Sequence, residues 1–137
     1  MDAAEARRRL TEARVARLGT VRENGEPHLV PFVFALHGDR IYAVVDEKPK
    51  RTKGLRRLAN IAAHPRVTVL VDEYDESWER LWWVRVDGHG RVVRDGPERD
   101  RAVELLTAKY PQYRDDPPTG PAIVVDIDRW RCWPSDR

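Results

Sequence analysis

The run Lys48–Arg57 (KPKRTKGLRR) sets Lys50, Arg51, Thr52 and Lys53 at or just before the start of a helix. A helix start carries about half a positive charge, so each cation there is unfavourable by roughly several tenths of a kcal/mol unless an anion joins it. Phosphate suits that place: free backbone N–H groups, the Thr52 hydroxyl and flexible cationic side chains can converge on its oxygens. The same residues would also make a solvated basic face, and the residue types alone leave both readings open.

A second group is aromatic. Trp78, Trp82, Trp83, Trp130 and Trp133 are five tryptophans in a short chain, and Trp82 and Trp83 are adjacent. Neighbours on a strand point to opposite faces, so one ring can fill a core while the other faces outward. An outward tryptophan can stack on a planar ligand or bury against a second subunit, although simple core or edge packing accounts for it equally well. Arg85 shares a face with Trp83, and Arg129, Arg131 and Trp133 share one on the last strand. Together they would make a cationic and aromatic wall.

Familiar catalytic signatures are missing. His28, His37, His64 and His89 are too scattered for a metal pair, so no metal site is expected. No G-x-S-x-G elbow and no glycine-rich phosphate loop occurs. Cys132, the single cysteine, reads as a structural thiol. No side chain is assigned as a catalytic acid, base or nucleophile; an enzyme of this kind needs a cofactor to supply the reactive atom.

These residues need a frame, and the chain is long enough for one. Its 137 residues, 41% hydrophobic and 35% charged, suit a single domain over 1–137 with one core. A net charge of +2 is too small to argue for nucleic acid. One cysteine excludes an internal disulfide framework and fits a reducing cytoplasm. The opening residues lack the apolar core of a signal peptide, and no run approaches the ~18 apolar residues of a membrane span, so no membrane insertion is expected.

Periodicity predicts a helix over Asp2–Glu12 and a strand over Val15–Val21. A tight turn at Glu23-Asn24-Gly25-Glu26 then leads into a partner strand over Pro27–His37. After a turn at Gly38, Arg40–Val45 reads as a third strand in meander order. Leu55, Leu58, Ile61 and Ala62 mark a helix that Pro65 stops. Strands over Arg66–Asp72 and Leu81–Val93 follow, the latter with Gly88 and Gly90 at a bulge or bend. A helix over Glu98–Tyr110, a proline-rich loop over Tyr110–Pro121 and a strand over Ala122–Trp133 complete the chain. The fold class is mainly β with flanking helices: six antiparallel strands in a closed or nearly closed barrel.

Four stretches, RVARLGTVRENGEPHLVPFVFAL, IYAVVDEKPKRTK, LANIAAHPRVTVLVD and LWWVRVDGHGRVV, resemble the split-barrel flavin and deazaflavin oxidoreductases. The resemblance is closest to the branch related to pyridoxamine-phosphate oxidase whose actinobacterial members commonly use the deazaflavin coenzyme F420, and it spans nearly the whole chain. It implies a six-stranded split barrel and a homodimer with cofactor sites between subunits. It implies that Lys50, Arg51, Thr52 and Lys53 hold the cofactor's phosphate, and that Val30, Pro31 and Phe32 run beside its ring system. Trp82, Trp83 and Trp133, with Arg85, are the implied wall of the site.

The activity it implies is hydride transfer between reduced F420 and a small conjugated or unsaturated substrate held at roughly 3–3.5 Å. Arg85 or Arg131 would then stabilise negative charge developing on that substrate. FMN is the alternative cofactor, since it presents a phosphate to the same loop. A non-catalytic F420 or flavin carrier is a further reading. A nucleic-acid module using the basic residues and exposed aromatics is the last, and the weak net charge argues against it.

Overall fold

The computed structural model describes residues 1–46 and 52–135, with side chains in the helix beginning at Thr52 described from Arg56 onward. Asp2 caps α1 (Ala3–Glu12), its carboxylate accepting a hydrogen bond from the Glu5 amide at 2.8 Å. Ala6 and Leu10 form the buried face of this helix. β1 (Ala16–Val21) and β2 (Pro27–Phe32) then pair as an antiparallel hairpin. Its turn places Gly25 at φ +89°, a conformation that residues with a Cβ rarely adopt.

The stretch Pro27–His37, expected as one strand, divides. β2 ends at Phe32, Val33 and Phe34 cross over, and β3 (Ala35–His37) begins at the other border of the sheet. A side chain takes the place of the ladder here. The Phe34 amide donates to the Tyr110 hydroxyl at 3.3 Å, and the same hydroxyl lies 3.1 Å from the Phe34 carbonyl and 2.8 Å from that of Arg14. The expected meander therefore resolves into two hairpins, β1–β2 and β3 with β4 (Arg40–Val44).

α2 (Thr52–Ala63), β5 (Arg66–Glu73), β6 (Trp82–Val93), α3 (Pro97–Lys109) and β7 (Ala122–Trp133) follow. A short α4 (Gln112–Asp115) lies where only a loop was expected. The result is a seven-stranded sheet, not the expected six, in the order β2-β1-β5-β6-β7-β4-β3. Every neighbouring pair is antiparallel. Because only Val33 and Phe34 separate its two border strands, the sheet curls into a half-barrel.

Leu18, Val69, Val71, Val84 and Val86 pack inside the curl. β4 and the start of β7 are covered on both sides: Ile41, Ala43, Ile123 and Val125 face the inner core, while Tyr42, Val44, Ala122 and Val124 pack against Ala102 and Leu106 of α3. Strands buried on both faces read as unbroken apolar runs, which explains RIYAVV and AIVV. β6 slips its register against β7 between Asp87 and Gly88, the bulge expected from the glycines. A Cβ on Gly88 would overlap the Asp126 carbonyl oxygen, so the strands can approach there only over a glycine.

Lys109, at the end of α3, places its ammonium 4.1 Å above the Phe34 ring centroid. Its Nζ is sealed from solvent with no hydrogen-bond partner among the described residues. Burial, reinforced by the Arg14 charge, pushes its pKa down to about 8.

Candidate functional site

The outer face of the sheet gathers several residues singled out in the sequence. Across the β6–β7 ladder Trp83 stands opposite Trp133, Arg85 opposite Arg131, and Asp87 opposite Arg129. Trp133 is 50% exposed, which makes it an uncovered aromatic surface on a strand. The Arg85 guanidinium carbon lies 5.7 Å from the Trp83 ring centroid, within cation–π reach. Asp87 ties the wall together. Its Oδ1 accepts a hydrogen bond from the Thr68 hydroxyl at 2.8 Å and lies 3.5 Å from Arg85 Nε, and its Oδ2 accepts from Arg129 Nη2 at 3.1 Å. Burial opposes its charge, but the bonds from Thr68 and Arg129, with the Arg85 charge, outweigh burial and hold the carboxyl below its ordinary range.

Trp82 goes to the other face. Its Nε1 donates to Glu73 at 3.0 Å and its ring carries the Arg9 guanidinium at 4.7 Å, so it anchors α1 against the sheet. The structure therefore separates Trp82 from Trp83. β2 is divided likewise: Pro31 lies exposed on the outer face with Leu29, whereas Phe32 is buried beside Phe34 and Val30 packs against the inner core.

Lys50 and Arg51 lie outside the described residues, as do the side chains of Thr52 and Lys53. The end of the same basic run is described, and it converges on a strand. Asn60 of α2 donates to the Thr20 hydroxyl at 3.0 Å, both groups being buried, which docks the helix on β1. Thr20 pairs in register with His28 of β2. With α2 held there, Arg56 and Arg57, together with Arg22 beyond the end of β1, act electrostatically on His28. Burial comes first and these three arginines next in holding the imidazole pKa below its ordinary value. His28 Nδ1 and Arg57 Nε are both sealed from solvent and have no hydrogen-bond partner among the described residues.

Buried polar nitrogens left unpaired cost about 1–3 kcal/mol each, so a cluster of cations holding two of them is a place where an acceptor oxygen belongs. Arg56, Arg57 and His28 are not among the site residues that the sequence singles out. The arginines stand within the quoted run KPKRTKGLRR, but their meeting with His28 depends on how α2 docks, which no local pattern encodes.

A groove of about 540 Å³ runs from His28 and Leu29 across Gly19 to Thr68, Asp87 and Arg129. Small-molecule sites typically enclose about 300–1,000 Å³. Gly19 keeps its floor open, since a Cβ there would come within 2.9 Å of the Thr68 methyl. The groove thus reaches from His28 at one end to the Asp87–Arg129 pair at the other. Among the described residues no group of His, Cys, Asp and Glu is arranged to hold a metal ion.

Several solved structures share this curled sheet. An FAD-binding protein from Mesorhizobium loti superposes with a TM-score of 0.74 at 23% identity, over 96% of this chain and 94% of that one. HutZ, a haem storage protein from Vibrio cholerae, gives 0.74 at 12% identity over 96% and 92%. HupZ from Group A Streptococcus gives 0.71 at 17% identity over 98% and 96%. At such identities the likeness is one of fold alone. No curated protein matches the chain significantly in sequence. The pyridoxamine 5'-phosphate oxidase family model, however, matches residues 3–134, a span that takes in every strand and helix described above, and the chain belongs to that family.

Proposed function

We propose that the chain binds a phosphate-bearing flavin-type cofactor, with the deazaflavin coenzyme F420 as first choice and FMN as the alternative. The observation that carries this reading is the convergence of Arg22, Arg56 and Arg57 on His28 beside an open groove, with two buried nitrogens awaiting an acceptor. A flavin or deazaflavin, when bound, supplies hydride transfer, here with a small conjugated or unsaturated substrate. The chain's own residues position and polarise. Arg56 and Arg57 take the phosphate, with Lys50, Arg51, Thr52 and Lys53 of the preceding run expected to join them. Leu29 borders the groove with apolar surface, and Pro31 lies on the same outer face of β2. Arg85 and Arg131 stand where they can balance negative charge arising on a substrate.

A homodimer completes the site in this reading. Leu29, 69% exposed, and Trp133 leave apolar surface on the outer sheet face, and a second copy would cover it and enclose the groove. A non-catalytic carrier of the same cofactor would use the same residues. Cytoplasmic residence is part of the proposal; among the described residues no helix is long and apolar enough to cross a membrane.

Tryptophan fluorescence during titration with F420, FMN and haem tests the reading, haem being included because a fold neighbour stores it. F420 should bind best, with FMN next. Arg56→Ala with Arg57→Ala, and separately Arg51→Ala with Lys53→Ala, should weaken binding by about tenfold or more, as expected for charge-assisted phosphate contacts. Affinity unchanged in both double variants would remove the phosphate assignment, and preference for haem would remove the cofactor. Turnover of enones and quinones by reduced cofactor separates enzyme from carrier.

A further inference from the structure

We propose that His28 is a specificity-determining residue of this anion site: it takes up a proton as a doubly charged phosphate monoester docks, and so lets the site distinguish monoesters from singly charged diesters. The proposal rests on the reading above that the cluster receives a phosphate, and it names the chemistry by which one phosphate class is preferred.

His28 faces inward from β2, half-buried, with Thr20 opposite it in register. Among the described residues the charges acting on it are all positive: Arg22 from the end of β1 and Arg56 and Arg57 from α2. Of the neutral neighbours, Asn60 donates its amide N–H to the Thr20 hydroxyl. Among the described residues no carboxylate stands with the groups that act on the ring, and Nδ1 has no acceptor. In that setting burial first, and then the three guanidinium charges, hold the imidazole pKa of the free protein below its ordinary value, and a second ring proton at Nδ1 would find no acceptor among the described residues.

An arriving anion reverses both conditions. Its oxygens accept a ring N–H, and its charge offsets the arginines. Once protonated, the imidazolium adds a further positive charge whose attraction grows with the charge of the ligand, so a dianion gains more than a monoanion. Phosphate monoesters lose their second proton near pH ~6, in the range where histidine titrates, so ligand and imidazole can share one proton. FMN ends in a monoester, whereas F420 carries its phosphate as a diester. Acidification should therefore shift the site toward FMN, and neutral pH should leave both admissible.

The test follows the histidine ring protons of the wild-type protein by NMR from about pH 5 to about pH 8, in chloride, in sulfate and in methyl sulfate. Sulfate is a dianion throughout this range and methyl sulfate a monoanion, so any shift belongs to the protein. His28 should titrate low in chloride, rise by about one unit in sulfate and by about half of that or less in methyl sulfate. FMN affinity should fall as pH rises through this window, more steeply than F420 affinity, and His28→Gln should flatten the FMN profile. Identical titration of His28 in chloride and sulfate, or an FMN profile unchanged in His28→Gln, overturns the proposal. If sulfate raises His28 while neither cofactor binds, the anion site stands and the flavin reading falls. If FMN binds while His28 stays unmoved, the flavin reading stands and this proposal falls.

Discussion

Asn60 of α2 donates a buried hydrogen bond to the Thr20 hydroxyl of β1 at 3.0 Å, and that bond sets where the arginines of the helix meet the sheet. Asn60→Leu should leave the Thr20 hydroxyl buried without a donor and cost about 1–3 kcal/mol in a urea melt. Because Arg56 and Arg57 ride on the same helix, the variant should also weaken sulfate binding at temperatures where it remains folded. A double Asn60→Leu, Thr20→Val variant should recover part of the stability by removing the orphaned hydroxyl.

Lys109 gives the protein a rise in stability on the alkaline side. Its pKa is about 8 in the fold, where burial and Arg14 press on it. In the unfolded chain it returns to the ordinary value near ~10.4. Between these values the unfolded state holds the extra proton, so stability increases as pH climbs through the window. Denaturant midpoints at both ends of that range should show the increase in the wild type and lose it in Lys109→Met.

Gly88→Ala should be among the most damaging single-methyl changes available. The added carbon meets the backbone of Asp126, which cannot step aside as a flexible side chain would. A loss of about 3 kcal/mol, the upper end for overpacking, is expected in thermal or chemical denaturation. Gly25→Ala provides a milder comparison: no atom crowds it, and only its positive φ resists the substitution.

Trp133→Glu tests the second copy. Charge placed on the surface that the proposed dimer buries should leave a monomer in light scattering behind a sizing column, and cofactor affinity should fall with it. Trp78→Glu, on an exposed loop, should change neither measurement.

Much of this molecule is visible in its residues. The period-two alternation of RVTVLVD, the Asn-Gly turn and the bulge glycines place β5, the first hairpin and the β6 bend without reference to anything distant. The opposite facing of Trp82 and Trp83 follows from adjacency on a strand. What local pattern misses is set by contacts far apart in sequence. The division of Pro27–His37 depends on a hydroxyl from Tyr110, and the partner of the basic run is a histidine on β2 brought near by helix docking. The separation of Phe32 from Pro31 was open to inference from alternation, which puts only one of any two neighbours on the ring side of a strand.

The break at Val33–Phe34 leaves the sheet with two borders, and both are poor templates for another chain. β2 carries Pro27 and Pro31, two positions with no amide hydrogen to offer an incoming strand. β3 spans only Ala35–His37, too short to seed an extended ladder. The rims thus discourage the edge-to-edge stacking that leads to fibrils, and the proposed dimer relies on side-chain contacts of the outer face instead.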